Sequence, residues 1–316
     1  MNEPMHNLRL LRLCVKACCD KGFHMQSLDL LVPEAWQDYA LLDSGGGRKL
    51  ERFGVVVVVR PDAQALWQPR LPERNWDAAH AVFEYGGAGE NWREQHAHPA
   101  QWPMRYADLE FVARLTPFRH VGVFPEQAAQ WDWVGGLVRG ATTQPRILNL
   151  FAYTGLASVA AARAGAHVTH LDASKAAVEW AKENQGASGL APNSIRWIVD
   201  DALKFVRREA RRGAQYDGII MDPPAFGRGS QGQVWQFNES FPLLLAECRQ
   251  ILAPKPLFFL ITTYDIRASA TMLYNTLGEL MADFAGTLTA GEQVLREQSG
   301  GRLLSTSIYA RWMAQS

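Results

Sequence analysis

The spacing of apolar positions changes near residue 140. Before it, from about residue 45 to 125, short β-prone runs dominate, and residues 55–60, 81–85 and 109–115 each read as a strand. Gly45-Gly46-Gly47 and Gly86-Gly87-Ala88-Gly89 punctuate this stretch as turns or loops. Beyond residue 140, buried-strand runs at 147–150, 168–171, 195–199, 218–221 and 257–262 alternate with helical patterns at 156–164, 175–186, 202–212, 241–252 and about 267–284. Strands alternating with helices imply a parallel sheet covered on both faces. The tail departs from this, because 292–297 and 303–311, joined by Ser299-Gly300-Gly301-Arg302, read as a hairpin. The expected fold is therefore α/β: a Rossmann-like, doubly wound sheet ending in an antiparallel hairpin, preceded by a small α+β domain. The expected divisions are an N-terminal extension over 1–40, the small domain over 41–125 and the sheet domain over 126–316.

Open α/β sheets bind ligands at the carboxyl ends of their strands, and polar residues gather there. The first strand runs into Asn149-Leu150-Phe151-Ala152-Tyr153-Thr154-Gly155, the second ends at Asp172, the third at Asp200-Asp201-Ala202 and the fourth at Asp222-Pro223-Pro224-Ala225-Phe226. A dinucleotide loop would show three spaced glycines cradling a pyrophosphate. This one has a single glycine, Gly155, which permits a tight turn into the next helix. The set suits S-adenosylmethionine: Asn149, Tyr153 and Thr154 hydrogen-bonding to the amino-acid part, Asp172 on the ribose, Asp201 and Ala202 on the adenine, and Phe151 and Gly155 as further cofactor-site residues of the first loop. Asp172 has a second reading as a helix cap, and the two are compatible. In the fourth segment two prolines fix φ and remove N–H donors, so the preceding carbonyls are expected to face a planar acceptor, with Phe226 stacking on it. Asp222, Pro223, Pro224 and Phe226 are the candidate catalytic group.

Composition narrows the partners less. Net charge is zero, so no global field favours nucleic acid. A local stripe, Lys204, Arg207, Arg208, Arg211 and Arg212, falls at helical spacing and reads either as a phosphate track or as a solvated face. Trp67, Trp76, Trp92 and Trp102 read as packing residues first and base-stacking residues second. Cys14, Cys18, Cys19 and Cys248 have no metal or disulfide spacing, which suits reduced thiols in the cytoplasm. No apolar run reaches membrane-spanning length. Residues 1–24 lack the pattern of a signal peptide and read as an extension or an upstream start ahead of Met25.

Together, Asn149–Gly155, Asp172, Asp200-Asp201-Ala202 and Asp222–Phe226 resemble the bacterial class I methyltransferases that modify large-subunit ribosomal RNA, in the branch holding cytosine-C5 and guanine-N7 enzymes. The segment Thr116-Pro117-Phe118-Arg119-His120-Val121-Gly122-Val123-Phe124-Pro125-Glu126-Gln127 resembles the lead into that branch's catalytic domain. The resemblance runs from about residue 40 to the end, and it implies Phe124 and Gln127 as further cofactor-site residues. Cytosine-C5 relatives carry a nucleophilic cysteine after the fifth strand, where this chain has Thr262-Thr263-Tyr264. A guanine nitrogen of ribosomal RNA is therefore the favoured acceptor, with S-adenosylmethionine as cofactor, no metal and no membrane. Tyr264 and His120 are weaker candidates for touching it. Competing readings are a methyltransferase of a protein side chain or small molecule, a nicotinamide oxidoreductase, and a non-catalytic RNA-binding assembly factor.

Overall fold

A computed structural model describes residues 27–33, 35–85, 91–228, 232 and 234–315. The expectations for residues 1–24, for Cys14, Cys18 and Cys19, and for the loop at 86–89 lie outside the described residues.

An eight-stranded sheet forms the spine. Across it run Asp29–Leu31, Gly286–Arg296, Leu303–Ala314, Phe258–Thr263, Gly218–Met221, Arg146–Leu150, His167–Asp172 and Ile195–Val199. The five strands from Phe258–Thr263 to Ile195–Val199 are mutually parallel, whereas Leu303–Ala314 is antiparallel to both neighbours. Successive side chains of a strand point to opposite faces, and here both faces are covered. Ile147, Ile220, Phe258 and Leu260 enter one apolar cluster, while Leu148, Leu150, Ile219, Met221, Phe259 and Ile261 enter the other. This is why the strands read as continuous apolar runs. From Arg146–Leu150 the chain winds outward to Ile195–Val199, then returns to the opposite side at Gly218–Met221. The order reverses between those two central strands, which is where such sheets open a crevice.

Most expected elements are present with ends moved by a residue or two. The terminal hairpin is longer than expected. The helix expected from residue 241 begins at Phe237 and runs to Gln250, with Pro242 inside it. Phe237 and Phe241 stack one turn apart, with ring centroids 4.5 Å from each other, and their burial outweighs the hydrogen bond that proline removes. The helix expected over 267–284 is Ala270–Leu280, capped by Ser269. The helix Ala128–Gly140, which buries Trp131, Val134 and Val138, was not expected.

Ahead of the large sheet lie a five-stranded sheet (Tyr39–Gly45, Arg48–Phe53, Val56–Pro61, Ala81–Glu84, Asn91–Glu94), a short helix Glu73–Asp77 and a ribbon of Trp102–Tyr106 with Leu109–Ala113. Trp76 and Trp102 are buried and Trp67 and Trp92 partly so, as packing residues. The buried Glu51 carboxylate accepts two hydrogen bonds from Arg60, at 2.6 and 2.7 Å, and a third from the Tyr39 hydroxyl at 2.9 Å.

Candidate functional site

The first strand turns sharply at its carboxyl end. Phe151, Tyr153 and Gly155 all have positive φ, of 55°, 47° and 79°. Non-glycine residues rarely adopt this region, and where they do the surroundings hold them there. Asp172 is the clamp. One carboxylate oxygen accepts from Tyr153 N and the other from Ser174 N, both at 2.8 Å. Burial pushes its pKa up, and the two N–H donors oppose that shift. The helix cap is Ser174 and not Asp172, since the Ser174 hydroxyl accepts from Ala177 N. At Gly155 an added Cβ would sit 2.7 Å from the Ala181 Cβ, so the turn needs glycine for space as well as φ.

Around this turn the structure opens a cavity of about 480 Å³, lined by Phe124, Phe151, Tyr153, Asp172, Asp201 and Ala202, with Asp222 and Pro224 on the far side. Beneath it a recess of about 70 Å³ shares Phe124, Phe151, Tyr153 and Asp222 and adds Gln127, Asn149, Thr154 and Gly155. Of the residues expected at a site, Pro223 and Phe226 alone line neither space. Some of the side chains have protein partners already. Asn149 Nδ2 donates to Ser158 Oγ at 2.9 Å, and Thr154 Oγ1 donates to the Gly122 carbonyl at 2.6 Å.

Asp222 has the most unusual surroundings. Its Oδ2 accepts from Gln127 Nε2 at 3.3 Å, and the same nitrogen donates to Thr262 Oγ1 at 3.1 Å. Its Oδ1 is buried without a partner. Burial pushes the carboxyl up to about 7, with the Thr262 hydroxyl opposing and the nearby Glu126 carboxyl adding to the rise. A buried acceptor oxygen left open costs stability unless a ligand fills it.

The Asp-Pro-Pro segment corrects one expectation. The Pro223 carbonyl, one of those expected to face the acceptor, instead accepts from Thr263 Oγ1 at 3.0 Å and serves the fold, as does the Pro224 carbonyl, which accepts from Trp235 Nε1 at 2.7 Å. Phe226 is 56% exposed and starts a two-stranded ribbon, Phe226–Arg228 with Val234–Gln236. Trp235, opposite Gly227 in that ribbon, turns inward to line the cavity and meets Phe151 at 4.8 Å between centroids. Sequence reasoning missed Trp235. The glycine facing it across the ribbon is the sole hint, visible once the pairing is known.

At the third strand Asp201 caps Ala202–Arg211, accepting from Lys204 N at 2.8 Å. Asp200 also lines the cavity, and its Oδ2 accepts from Arg208 at 2.8 Å. The basic stripe is largely paired within the protein. Arg207 meets Glu247 at 2.9 Å, Arg212 meets Glu209 at 3.2 Å, and Lys204 lies 3.9 Å from Asp200. That favours the solvated-face reading over a phosphate track. His120, Phe124 and Tyr264 close one side as a wall of rings with centroids 5.0 to 6.0 Å apart. His120 is held down to about 3 by burial first, then by Arg60 and Arg119, and so is neutral at physiological pH. Among the described residues no cluster of His, Cys, Asp or Glu could hold a metal ion, and no helix is long and apolar enough to cross a membrane.

A parallel sheet with aspartates at the ends of its second, third and fourth strands, one glycine in the first turn and an antiparallel terminal hairpin defines a class I methyltransferase. The family model of S-adenosylmethionine-dependent methyltransferases matches residues 91–257. The crystal structure of an S-adenosylmethionine-dependent methyltransferase from Agrobacterium tumefaciens is 46% identical, covers 93% of this chain and 97% of that one, and superposes with a TM-score of 0.87. The chain belongs to this S-adenosylmethionine-dependent methyltransferase family. A methyltransferase structure from Streptococcus mutans, 18% identical with a TM-score of 0.65 over 89% of this chain and 76% of that one, shares the fold. Among curated relatives, ribosomal RNA large subunit methyltransferase K/L of Shewanella sp. (strain ANA-3) is 37% identical over 124 residues, which is 39% of this chain and 17% of the relative. The corresponding protein of Vibrio cholerae is 30% identical over 149 residues, 46% of this chain and 20% of the relative. The chain thus spans about a fifth or less of the length of these curated relatives.

Proposed function

We propose that this methyltransferase acts on a base of large-subunit ribosomal RNA, with a guanine nitrogen as the favoured acceptor. The chain then divides into an extension (1–40), a small α+β domain (41–125) and a methyltransferase domain (126–316), and works in the cytoplasm. The observation that carries the reading is Asp222, whose Oδ1 is buried and open at the edge of the cofactor cavity.

S-adenosylmethionine supplies an electrophilic methyl group. The residues present fit it, since the carboxylates of Asp172 and Asp201 retain lone pairs for the ribose hydroxyls and the adenine amine. Ala202, Phe151 and Trp235 supply apolar surface for the adenine. The recess between Gln127, Asn149 and Gly155 takes the amino-acid part. A nitrogen acceptor needs no covalent adduct with the protein, which suits a fifth strand ending in Thr262 and Thr263 rather than cysteine. The protein's task is orientation and the exclusion of water. Where the acceptor nitrogen carries a hydrogen, Asp222 Oδ1 accepts that proton as the N–H bond breaks. A carboxyl poised near 7 is well matched to this.

The test is to incubate the protein with methyl-labelled S-adenosylmethionine and ribosomal RNA from cells lacking it, followed by nucleoside mass spectrometry. Label in a methylguanosine of the large-subunit RNA is expected. Label appearing in protein or small molecules while the RNA stays unlabelled would overturn the reading.

A further inference from the structure

A second cavity of about 170 Å³ adjoins the cofactor cavity, and His120, Phe124 and Tyr264 line both. Its other walls come from both parts of the chain: Lys49 and Arg60 from the five-stranded sheet, Arg119 and Glu126 from the connecting segment, and Ser305 and Thr306 from the terminal hairpin. We propose that this second cavity seats the acceptor base, and that Phe118 and Tyr85 beside it form a stacking platform for the single-stranded RNA leading in. The inference rests on the reading that the acceptor is RNA.

Position supports it first. The two spaces adjoin at His120, Phe124 and Tyr264, so a base held here lies against the residues that also line the cofactor cavity. Chemistry supports it second. The cavity is lined by the cationic groups of Lys49, Arg60 and Arg119 and by the carboxyls of Asp62, Glu126 and Asp265, with Lys49 paired to Asp62 at 3.1 Å. A guanine presents a complementary set, with O6 as an acceptor and the 2-amino group as a donor, which leaves its ring nitrogens for the methyl group. The donors are held in place beforehand. Arg60 is fixed by Glu51 and donates to the Arg119 carbonyl at 3.1 Å, while Arg119 donates to the Tyr85 hydroxyl at 3.0 Å and to Asp265 at 2.8 Å. Such preorganisation reduces the ordering cost of binding.

The platform is a separate observation. Phe118 and Tyr85 are 65% and 54% exposed; Phe118 precedes Arg119 in the chain, and the Tyr85 hydroxyl accepts from the Arg119 guanidinium. Scattered exposed rings are ordinary on protein surfaces, but these two are fixed from behind. Trp92 Nε1 donates to the Phe118 carbonyl at 3.0 Å, the Trp92 ring meets Phe83 at 5.3 Å, and Phe83 meets Tyr85 at 5.6 Å. Two exposed rings near a guanidinium fit a strand of unstacked bases, and this surface tolerates many sequences while the cavity reads one base.

The experiment measures binding of a short fluorescent single-stranded oligoribonucleotide of alternating guanine and uracil at fixed salt, beside calorimetric titration with S-adenosylmethionine. For the Phe118→Ala/Tyr85→Ala variant the expected result is a loss of about tenfold or more in RNA affinity, with cofactor affinity unchanged to within about twofold. Glu126→Ala, which removes the acceptor, is expected to abolish the preference for this oligonucleotide over its inosine counterpart, which lacks the 2-amino group. Unchanged RNA affinity in the double variant, with the wild type binding RNA, would overturn the site and leave the RNA reading standing. A wild type that binds S-adenosylmethionine but no RNA would overturn both.

Discussion

Asp222 ties stability and chemistry to one proton. Its pKa stands near 7 against an ordinary 3.8, so the folded protein keeps a proton between about pH 4 and 7 that the unfolded chain releases. The stability linked to this group is therefore fully present below about pH 4 and is lost as pH rises through 7. The proposed chemistry needs the opposite state, a carboxylate, so kcat/KM for an N–H acceptor should rise with pH through the same region. Asp222→Asn separates the two. It should lower methyl transfer by roughly 10²- to 10⁴-fold, and its melting temperature should gain on the wild type from pH 5 to 8. A variant with full activity and an unchanged pH dependence of melting would remove Asp222 from both roles. The aspartates at the strand ends were legible in the sequence because each closes an apolar run. The Gln127 bridge to Asp222 and Thr262 was not, since it joins residues 95 and 135 apart through tertiary packing. The resemblance alone singled out Gln127.

At the scale of elements, the sequence showed those whose period is long enough to register. The central strands were read almost to the residue. The ribbon of Phe226–Arg228 and Val234–Gln236 was not, because three-residue strands carry too few alternations to announce themselves. The helix Ala128–Gly140 was hidden by Gly135 and Gly136, whose helix penalty is offset by the burial of Trp131, Val134 and Val138. The ribbon matters to function because it carries Trp235 onto Phe151. That contact is worth about 0.5–1.5 kcal/mol beyond its buried area. Because Trp235 also lines the cavity, Trp235→Ala should weaken S-adenosylmethionine binding by about tenfold in calorimetry and leave the far-UV spectrum unchanged. Undiminished affinity would show that the ribbon does not cover the cofactor.

Across the whole molecule, the terminal hairpin joins the two sheets, and the second cavity depends on that junction. Beyond Arg296 the turn reaches the five-stranded sheet, where Gln298 N donates to the Leu41 carbonyl at 2.8 Å and Ser299 N to the Leu42 carbonyl at 3.1 Å. Glu297, 1% exposed, is the centre of this contact. Its carboxylate accepts from Ser44 Oγ at 2.6 Å and from Arg302 Nε at 2.5 Å. A buried carboxylate with two short charge-assisted bonds is costly to remove, because its partners are left without an acceptor. Glu297→Ala should destabilise the protein by about 3 kcal/mol and divide one calorimetric unfolding transition into two, the five-stranded sheet melting first. Ser305 and Thr306 follow on the same hairpin and line the second cavity, so loosening the turn should also weaken RNA binding more than cofactor binding. A single transition lowered by less than about 1 kcal/mol would mean that the sheets are joined mainly through the apolar core they share around Trp131 and Phe111. The acceptor cavity would then be held by that core rather than by the hairpin.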